Sequence, residues 1–265
     1  MEKLTVTDFF CGAGGFSEGF RQMGFEIVQG YDNWKPAVDT YNHNLKTNAT
    51  VKNILDFSES IDEILTLPDT DVIVGSPPCV SFSSSNKSGQ ADKSMGLKLT
   101  ECFLRIVAVK KHQKDSILKA WFMENVVNSK KYLNSKYTFE QLNLSDWARQ
   151  NNKKPNDVAI KLDTNSEIIN SVDYGSFQAR KRVISGEIIS KERMILPLKT
   201  HSNSSQNNDL PKYKTIGKMK SNFPNPFDSK SDLIIKDPQF DIEIHQNKLT
   251  GNTFRKIQVI KVLIL

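Results

Sequence analysis

A cysteine placed directly after two prolines is the feature of this sequence most able to do chemistry. Cys79 follows Pro77 and Pro78, and the apolar run Asp71–Gly75 comes just before them. The run predicts a buried strand, and the prolines, which fix φ and lack a backbone donor, hold the cysteine in a stiff turn after it. In open α/β sheets, ligands bind at the carboxyl ends of strands. The segment alone does not distinguish a nucleophile from a loop cysteine that happens to follow prolines.

Three further segments contain glycine-rich or polar residues. Each of them lies in or directly after a part of the chain that is predicted to be extended. Residues 8–17 are rich in glycine and follow the predicted strand Leu4–Thr7, so the backbone there can approach a ligand closely, although the spacing is not GxGxxG. Trp121–Val126 is an apolar run that contains a carboxyl and an amide. Residues 178–182 carry two arginines at alternate positions, which point the same way on an extended segment.

The elements that must position these residues alternate along the first two thirds of the chain. The predicted strands are Leu4–Thr7, Glu26–Gly30, Val51–Ile54, Asp71–Gly75 and Trp121–Glu124, and the predicted helices are Phe16–Met23, Lys35–Asn44, Glu59–Leu65 and Leu97–Lys111. This alternation predicts an α/β fold with a parallel-type sheet covered by helices on both faces. We expect one domain over residues 1–190 and a loop-rich tail over residues 191–265.

Composition narrows the class of protein. The 265 residues can bury a full core. The net charge of +6 and the isoelectric point of about 9.0 suit a polyanionic partner. The three cysteines form no CxxC pair, which favours reduced thiols and a cytoplasmic location. No apolar run has transmembrane length and no signal peptide is recognised, so we expect no membrane association.

Together, the four segments resemble the cytosine-5 DNA methyltransferase family of bacterial restriction-modification systems. They read DFFCGAGGFSEGF, GSPPCVSFSSSN, ENV and QARKR, in the order that the family shows, and the match spans residues 4–188. The resemblance implies a Rossmann-like S-adenosylmethionine-dependent methyltransferase sheet. It also implies transfer of a methyl group from S-adenosylmethionine to carbon 5 of cytosine in double-stranded DNA, through a covalent cysteine adduct.

The resemblance assigns four catalytic residues. Cys79 is the nucleophile, whose thiolate adds to carbon 6 of the ring and makes carbon 5 nucleophilic. Glu124 protonates or hydrogen-bonds nitrogen 3; the alternative for it is a carboxylate that caps a helix. Arg180 and Arg182 are expected to contact the base, the cysteine loop or a phosphate; the alternative for them is a solvated basic strand.

The resemblance also assigns a cofactor site. The residues expected there are Phe10, Gly12, Gly14, Asp32, Asn53 and Ile54. The glycine turn would hold the methionine end of S-adenosylmethionine, and Asp32, at the end of the second strand, would accept the ribose hydroxyls. An ordinary helix cap is the alternative for Asp32. Asn53 and Ile54 stand where the family usually has Asp-Ile contacting adenine.

Two residues are assigned to the DNA side. The target base must leave the duplex to be reached, and Ser81 belongs to a loop of small and polar residues that would close over it. Gln178 is expected to orient the catalytic loop. Phe177 replaces the proline that the family carries before this glutamine.

Family members carry a target-recognition region after the arginine motif, and we expect that region to be absent or rudimentary here. Residues 249–255 resemble either the segment that leads into it or a degenerate final motif, with the apolar residues 257–265 following. The chain would then be a truncated form or the catalytic subunit of an enzyme whose second protein chain reads the sequence. An RNA cytosine methyltransferase and an inactive cofactor-binding remnant are the alternative functions.

Overall fold

Strands and helices alternate along the chain of the computed structural model, which describes residues 3–78, 93–203, 209–215, 234–237 and 242–245. The strands are β1 Thr5–Phe9, β2 Glu26–Asp32, β3 Ala49–Val51, β4 Val72–Gly75, β5 Ala120–Asn125, β6 Lys136–Thr138, β7 Val158–Lys161, β8 Ser166–Asn170, β9 Lys181–Ile188, β10 Ile234–Asp237 and β11 Ile242–His245. The helices are α1 Gly15–Gln22, α2 Lys35–Leu45, α3 Ile61–Leu65, α4 Lys93–His112 and α5 Ser145–Gln150, with 3₁₀ turns at Ile54–Ser58, Val127–Lys131 and Ser171–Tyr174.

A seven-stranded sheet in the order β3-β2-β1-β4-β5-β9-β8 organises these elements. The first five strands of that order run parallel to one another. The last two are antiparallel, β9 to β5 and β8 to β9. The predicted parallel-type sheet is therefore confirmed, with an antiparallel edge that the strand pattern alone did not reveal.

Alternate residues of β4 explain why helices cover both faces of this sheet. Val72 and Val74 pack with Phe16 and Phe20 of α1 in one apolar cluster. Ile73 belongs to the larger cluster on the other face, which contains the buried middle of α4. Because successive strand residues point to opposite faces, a strand buried on both sides is apolar at every position.

One predicted strand was wrong. The extended segment β3 ends at Val51, and the predicted strand Val51–Ile54 instead leads into the 3₁₀ turn Ile54–Ser58. The cause is Asn53, whose side-chain oxygen accepts the Leu55 N–H at 3.2 Å and so turns the backbone out of the strand.

Contacts divide the chain into two compact units. One consists of Met1–Ser171 and Arg180–Lys199 and contains the seven-stranded sheet. The other consists of Val172–Ala179 and Thr200–Leu265; within it the Asp173 carbonyl accepts the N–H groups of Thr200 and His201 at 2.9 and 3.0 Å, and the Tyr213 hydroxyl donates to the Asp173 carboxylate at 2.5 Å. Among the described residues, none of the helices has the length and apolar content needed to cross a membrane. A boundary at residue 190 stays a prediction.

Candidate active site

The parallel strands bring the candidate motifs to one edge of the sheet. Strands β1, β2, β4 and β5 all end there, since they are parallel neighbours in the sheet. The antiparallel strand β9 begins at the same edge, because Asn125 pairs with Val183 near the start of β9. Asp32, Glu124 and Arg182 therefore lie at strand ends on a common edge, where the glycine turn and the two prolines follow β1 and β4.

Glu124 and Arg182 form an ion pair at this edge. The Arg182 Nε lies 2.6 Å from Glu124 Oε1, and the two side chains are 19% and 27% exposed, respectively. Burial raises the pKa of Glu124 above its ordinary value, and the positive charges of Arg182 and Arg180 offset part of that rise. The site thus holds a carboxyl that takes up a proton more readily than a solvated glutamate, next to a permanent cation.

Asn125 anchors the turn that leads to the cysteine. Its side chain is 2% exposed, its Nδ2 donates to the Pro77 carbonyl at 3.3 Å, and its Oδ1 accepts the Val126 N–H at 2.8 Å. These bonds tie the end of β5 to the first proline after β4. Cys79 and Ser81 lie outside the described residues.

Close packing under β4 also fixes the start of the proline turn. A Cβ on Gly75 would lie 2.5 Å from the ring of Phe103 on α4. Only glycine therefore lets the helix lie this close to the last residue of the strand. The Ser76 N–H continues the sheet by donating to the Phe9 carbonyl at 3.1 Å.

The glycine turn after β1 owes its sharpness to three residues with positive φ. These are Phe10 at 55°, Gly12 at 51° and Gly14 at 96°. A Cβ on Gly14 would lie 2.8 Å from a methyl carbon of Leu45, so a glycine is required there for packing as well as for conformation. Phe10 has no such freedom, and its left-handed backbone is a strained conformation of the kind that clusters at ligand sites.

Asp32 organises this turn. Its Oδ2 accepts the Gly12 N–H at 3.0 Å and its Oδ1 accepts the Trp34 N–H at 2.9 Å. A carboxylate has about four lone-pair sites, so each oxygen keeps one for a ligand hydroxyl. Two free lone pairs suit the two hydroxyls of a ribose. The same two hydrogen bonds of Asp32 join the glycine turn to the start of α2, where Trp34 is exposed.

The remaining candidates have different surroundings. Asn53 is exposed, whereas the Ile54 side chain is 2% exposed in the core and its carbonyl accepts the Cys102 thiol at 2.9 Å, so only its backbone can meet a ligand. Arg180 is exposed and its N–H donates to Ser171 Oγ at 3.1 Å. Gln178 belongs to the other unit, where its N–H donates to a serine hydroxyl at 3.2 Å.

A buried polar network beneath the glycine turn escaped the sequence reasoning. Asp8 is 1% exposed, its Oδ2 accepts the Ser17 hydroxyl at 2.6 Å, and the Ser17 and Tyr41 hydroxyls lie 2.6 Å apart. Asp8 Oδ1 has no hydrogen-bond partner among the described residues. Burial raises the pKa of Asp8 to about 7. The only signal in the sequence was a carboxyl at the end of an apolar strand.

Comparisons with known proteins find type II methyltransferases that are similar to this chain. The type II methyltransferase M.HgiGI of Herpetosiphon aurantiacus is 39% identical over 125 residues, which cover 46% of this chain and 90% of that protein. M.MthTI of Methanothermobacter thermautotrophicus is 31% identical over 182 residues, which cover 68% of this chain and 47% of that protein. M.HindV of Haemophilus influenzae is 36% identical over 130 residues, covering 48% and 39%. The chain thus spans less than half the length of the last two relatives.

A solved structure supports the fold. The Entamoeba histolytica methyltransferase EhMeth superposes with a TM-score of 0.50 at 20% identity, over 77% of this chain and 58% of that one. The sequence model of C-5 cytosine-specific DNA methylases matches residues 4–259. With the cysteine motif, the glutamate strand and the arginine strand meeting at one sheet edge, this match shows that the chain belongs to the C-5 cytosine-specific DNA methylase family.

Proposed function

We propose that this chain transfers a methyl group to carbon 5 of cytosine in DNA, as the modification enzyme of a restriction-modification system. The observation that carries the proposal is the half-buried Glu124–Arg182 pair, which adjoins a strand end tied through Asn125 to the proline turn before Cys79. The names of the type II methyltransferases similar to this chain support the reaction class.

In this proposal, Cys79 attacks the cytosine ring and Glu124 stabilises the negative charge that the attack creates. The Cys79 thiolate adds to carbon 6, the electron pair of the carbon 5–carbon 6 bond moves toward carbon 5, and negative charge develops at nitrogen 3. A protonated Glu124 donates to nitrogen 3 and relieves that charge. Burial, which raises its pKa, favours this protonated form, and Arg182 holds the carboxyl in place at 2.6 Å.

S-adenosylmethionine would supply an electrophilic methyl group. The residues around the glycine turn fit it: the free lone pairs of Asp32 suit the ribose hydroxyls, and the close-packed Gly14 keeps side-chain atoms out of the turn. Phe10, Gly12 and the exposed Asn53 border the same sheet edge, and Ile54 would contribute its backbone.

On the DNA side, the proposed roles are those of the family motifs. Arg180 and Gln178 are exposed, as contacts to a base or phosphate require. Ser81 would belong to the loop that closes over the flipped base. We also propose that contacts specifying the target sequence come from a recognition region on a second protein chain or on a longer form of this one. Without it, the basic chain would bind duplexes weakly and without sequence preference.

Labelled-methyl transfer tests this function. Duplex DNA of mixed sequence and transfer RNA are each incubated with the chain, with and without a recognition-region chain from a related enzyme. We expect label in duplex DNA and none in RNA, loss of transfer in Cys79→Ser and a strong decrease in Glu124→Gln. The matched control Glu140→Gln alters an exposed glutamate outside the site and should keep full activity.

Other outcomes identify the alternatives. Label in transfer RNA alone would favour the RNA methyltransferase. Calorimetric binding of S-adenosylmethionine without transfer to any substrate would favour the inactive remnant. Robust site-specific DNA methylation by this chain alone would contradict the proposal that recognition comes from elsewhere.

A further inference from the structure

The carboxyl of Asp8 is enclosed directly beneath the glycine turn. It is 1% exposed, and its Oδ2 accepts the Ser17 hydroxyl at 2.6 Å, while Oδ1 has no partner among the described residues. Asp8 pairs in the sheet with Gly30 and Val74, which carry no titratable group. A buried carboxylate with one bare oxygen is costly to ionise.

The groups that face Asp8 add no positive charge. From α1 come the hydroxyl and the backbone N–H of Ser17, and from α2 comes Tyr41, whose pKa is raised by burial so that it stays neutral. From the turn comes Cys11, whose pKa is also raised by burial, and from β2 comes Asp32, whose negative charge raises the pKa of Asp8 further. The pKa of Asp8 reaches about 7, so the carboxyl is half-protonated at neutral pH.

A cation held on the glycine turn would favour the ionised form of Asp8 over the protonated form. Asp32 accepts the Gly12 N–H at 3.0 Å, and Asp8 lies on the strand that leads into the same turn, so a cation seated on the turn would act on the Asp8 carboxyl through the protein interior. S-adenosylmethionine carries one more positive charge than S-adenosylhomocysteine, the product left after methyl transfer. Because charge interactions are strong in a low-dielectric interior, the two ligands should affect a buried carboxyl differently.

We propose that Asp8 makes the cofactor site discriminate the charged methyl donor from its neutral product, by releasing a proton to solvent when the donor binds. This inference rests on the proposed use of S-adenosylmethionine. In the free protein Asp8 exchanges a proton with solvent; with the donor bound it is a carboxylate. When the sulfonium charge is lost in the reaction, Asp8 regains a proton, and the product is held less tightly than the donor. Asp8 acts as a specificity residue through charge, and it takes no part in the bond-making steps.

Proton linkage sets the expected size of the effect. With a carboxyl that titrates at about 7 in the free protein and remains ionised in the complex, binding releases about half a proton at pH 7 and about 0.9 at pH 6. The dissociation constant for S-adenosylmethionine should then fall up to about tenfold between pH 6 and pH 8. For S-adenosylhomocysteine the change should stay below about threefold.

Titration calorimetry of the full chain in two buffers of different ionisation enthalpy measures the released proton directly. The probes are S-adenosylmethionine, S-adenosylhomocysteine and a non-reactive analogue with an amino group in place of the sulfonium. We expect proton release with the two cationic ligands and much less with the neutral one. Equal release with all three, or none with any, would overturn the inference.

Variants assign the proton to its residue. Asp8→Asn keeps an oxygen for Ser17 but cannot ionise, so its affinity should not depend on pH between 6 and 8. Ser17→Ala removes a bond that lowers the pKa of Asp8, so the midpoint of the profile should move to higher pH. The control Asp146→Asn changes an 89% exposed carboxylate and should behave as the native protein.

Two further outcomes are informative. Proton release that persists in Asp8→Asn would assign the effect to another group and refute the inference. If Asp8→Asn does not fold, the proton release measured with the native protein and the pH midpoint of Ser17→Ala still test whether Asp8 is the group that titrates. Failure of every ligand to bind would count against the proposed function, whereas binding with identical pH profiles would count against this inference alone.

Discussion

Replacing Arg182 by methionine should destabilise the protein in a pH-dependent way. The substitution keeps an unbranched side chain of similar length but removes the charge that lies 2.6 Å from Glu124 Oε1. At pH 8 the carboxylate would remain half-buried without its nearest cation. At pH 5.5 more of Glu124 is protonated, and a neutral carboxyl gains little from an arginine.

The burial of the Glu124–Arg182 pair determines how much stability the Arg182→Met substitution should cost. Exposed ion pairs contribute about 0–1 kcal/mol, whereas breaking a fully buried pair costs about 3–5 kcal/mol. With side chains 19% and 27% exposed, the pair lies between these limits, and we expect the free energy of unfolding to fall by about 1–3 kcal/mol at pH 8. The sign follows from the titration: the pairing stabilises ionised Glu124, so its contribution is lost as pH falls through the pKa of that group.

Urea unfolding at pH 5.5 and pH 8 measures both values. In a Glu124→Gln background the charge pair no longer exists, so Arg182→Met should then cost much less, and this double-mutant cycle isolates the interaction. Arg149→Met provides the control, because Arg149 forms an exposed pair on α5 and its loss should cost under about 1 kcal/mol. An equal cost at both pH values, or an undiminished cost in the Glu124→Gln background, would refute the reasoning.

Three further changes have defined outcomes. Asp32→Ala should weaken S-adenosylmethionine binding by about 1–3 kcal/mol in titration calorimetry, since hydrogen bonds to a charged group are lost, and an unchanged affinity would leave Asp32 a structural cap. Gly75→Ala should lower the free energy of unfolding by about 1–3 kcal/mol, because its Cβ would lie 2.5 Å from the Phe103 ring, and Phe103→Leu should restore part of that loss. For the ligand-free protein, the raised pKa of Asp8, about 7, gives stability that is present below pH 4 and is lost as pH rises through 7; Asp8→Asn should remove up to about 4 kcal/mol of this dependence, and parallel urea profiles of the two proteins would contradict it.

The strand ends were predictable because local sequence and topology agree there. The apolar runs before Pro77 and in Trp121–Glu124 are short and end in groups that break a strand, so their positions follow from residues nearby. Parallel packing brings their carboxyl ends to one edge, and the resemblance to the cytosine-5 DNA methyltransferase family then assigned the motifs to one site.

Contacts between side chains that are far apart in the sequence could not be predicted from local patterns. The Asp8–Ser17–Tyr41 network joins one strand and two helices, and no local pattern specifies that the three side chains meet. The strand expected at Val51–Ile54 failed because one side-chain bond from Asn53 outweighed the β preference of its neighbours. The short strands β6, β7 and β8 were also missed, since antiparallel edge strands of three to five residues carry little periodicity.

Covalent trapping tests the central claim most directly. Duplex DNA containing 5-fluorocytosine is incubated with S-adenosylmethionine and the chain, supplemented with a recognition-region chain where transfer requires it. The fluorine at carbon 5 blocks the elimination that would release the enzyme, so a cysteine nucleophile remains attached to the base. We predict a denaturation-resistant DNA adduct whose attachment maps to Cys79 by mass spectrometry, and none with Cys79→Ser. An adduct formed by the serine variant, or methylation by the native chain without any trapping, would contradict the account.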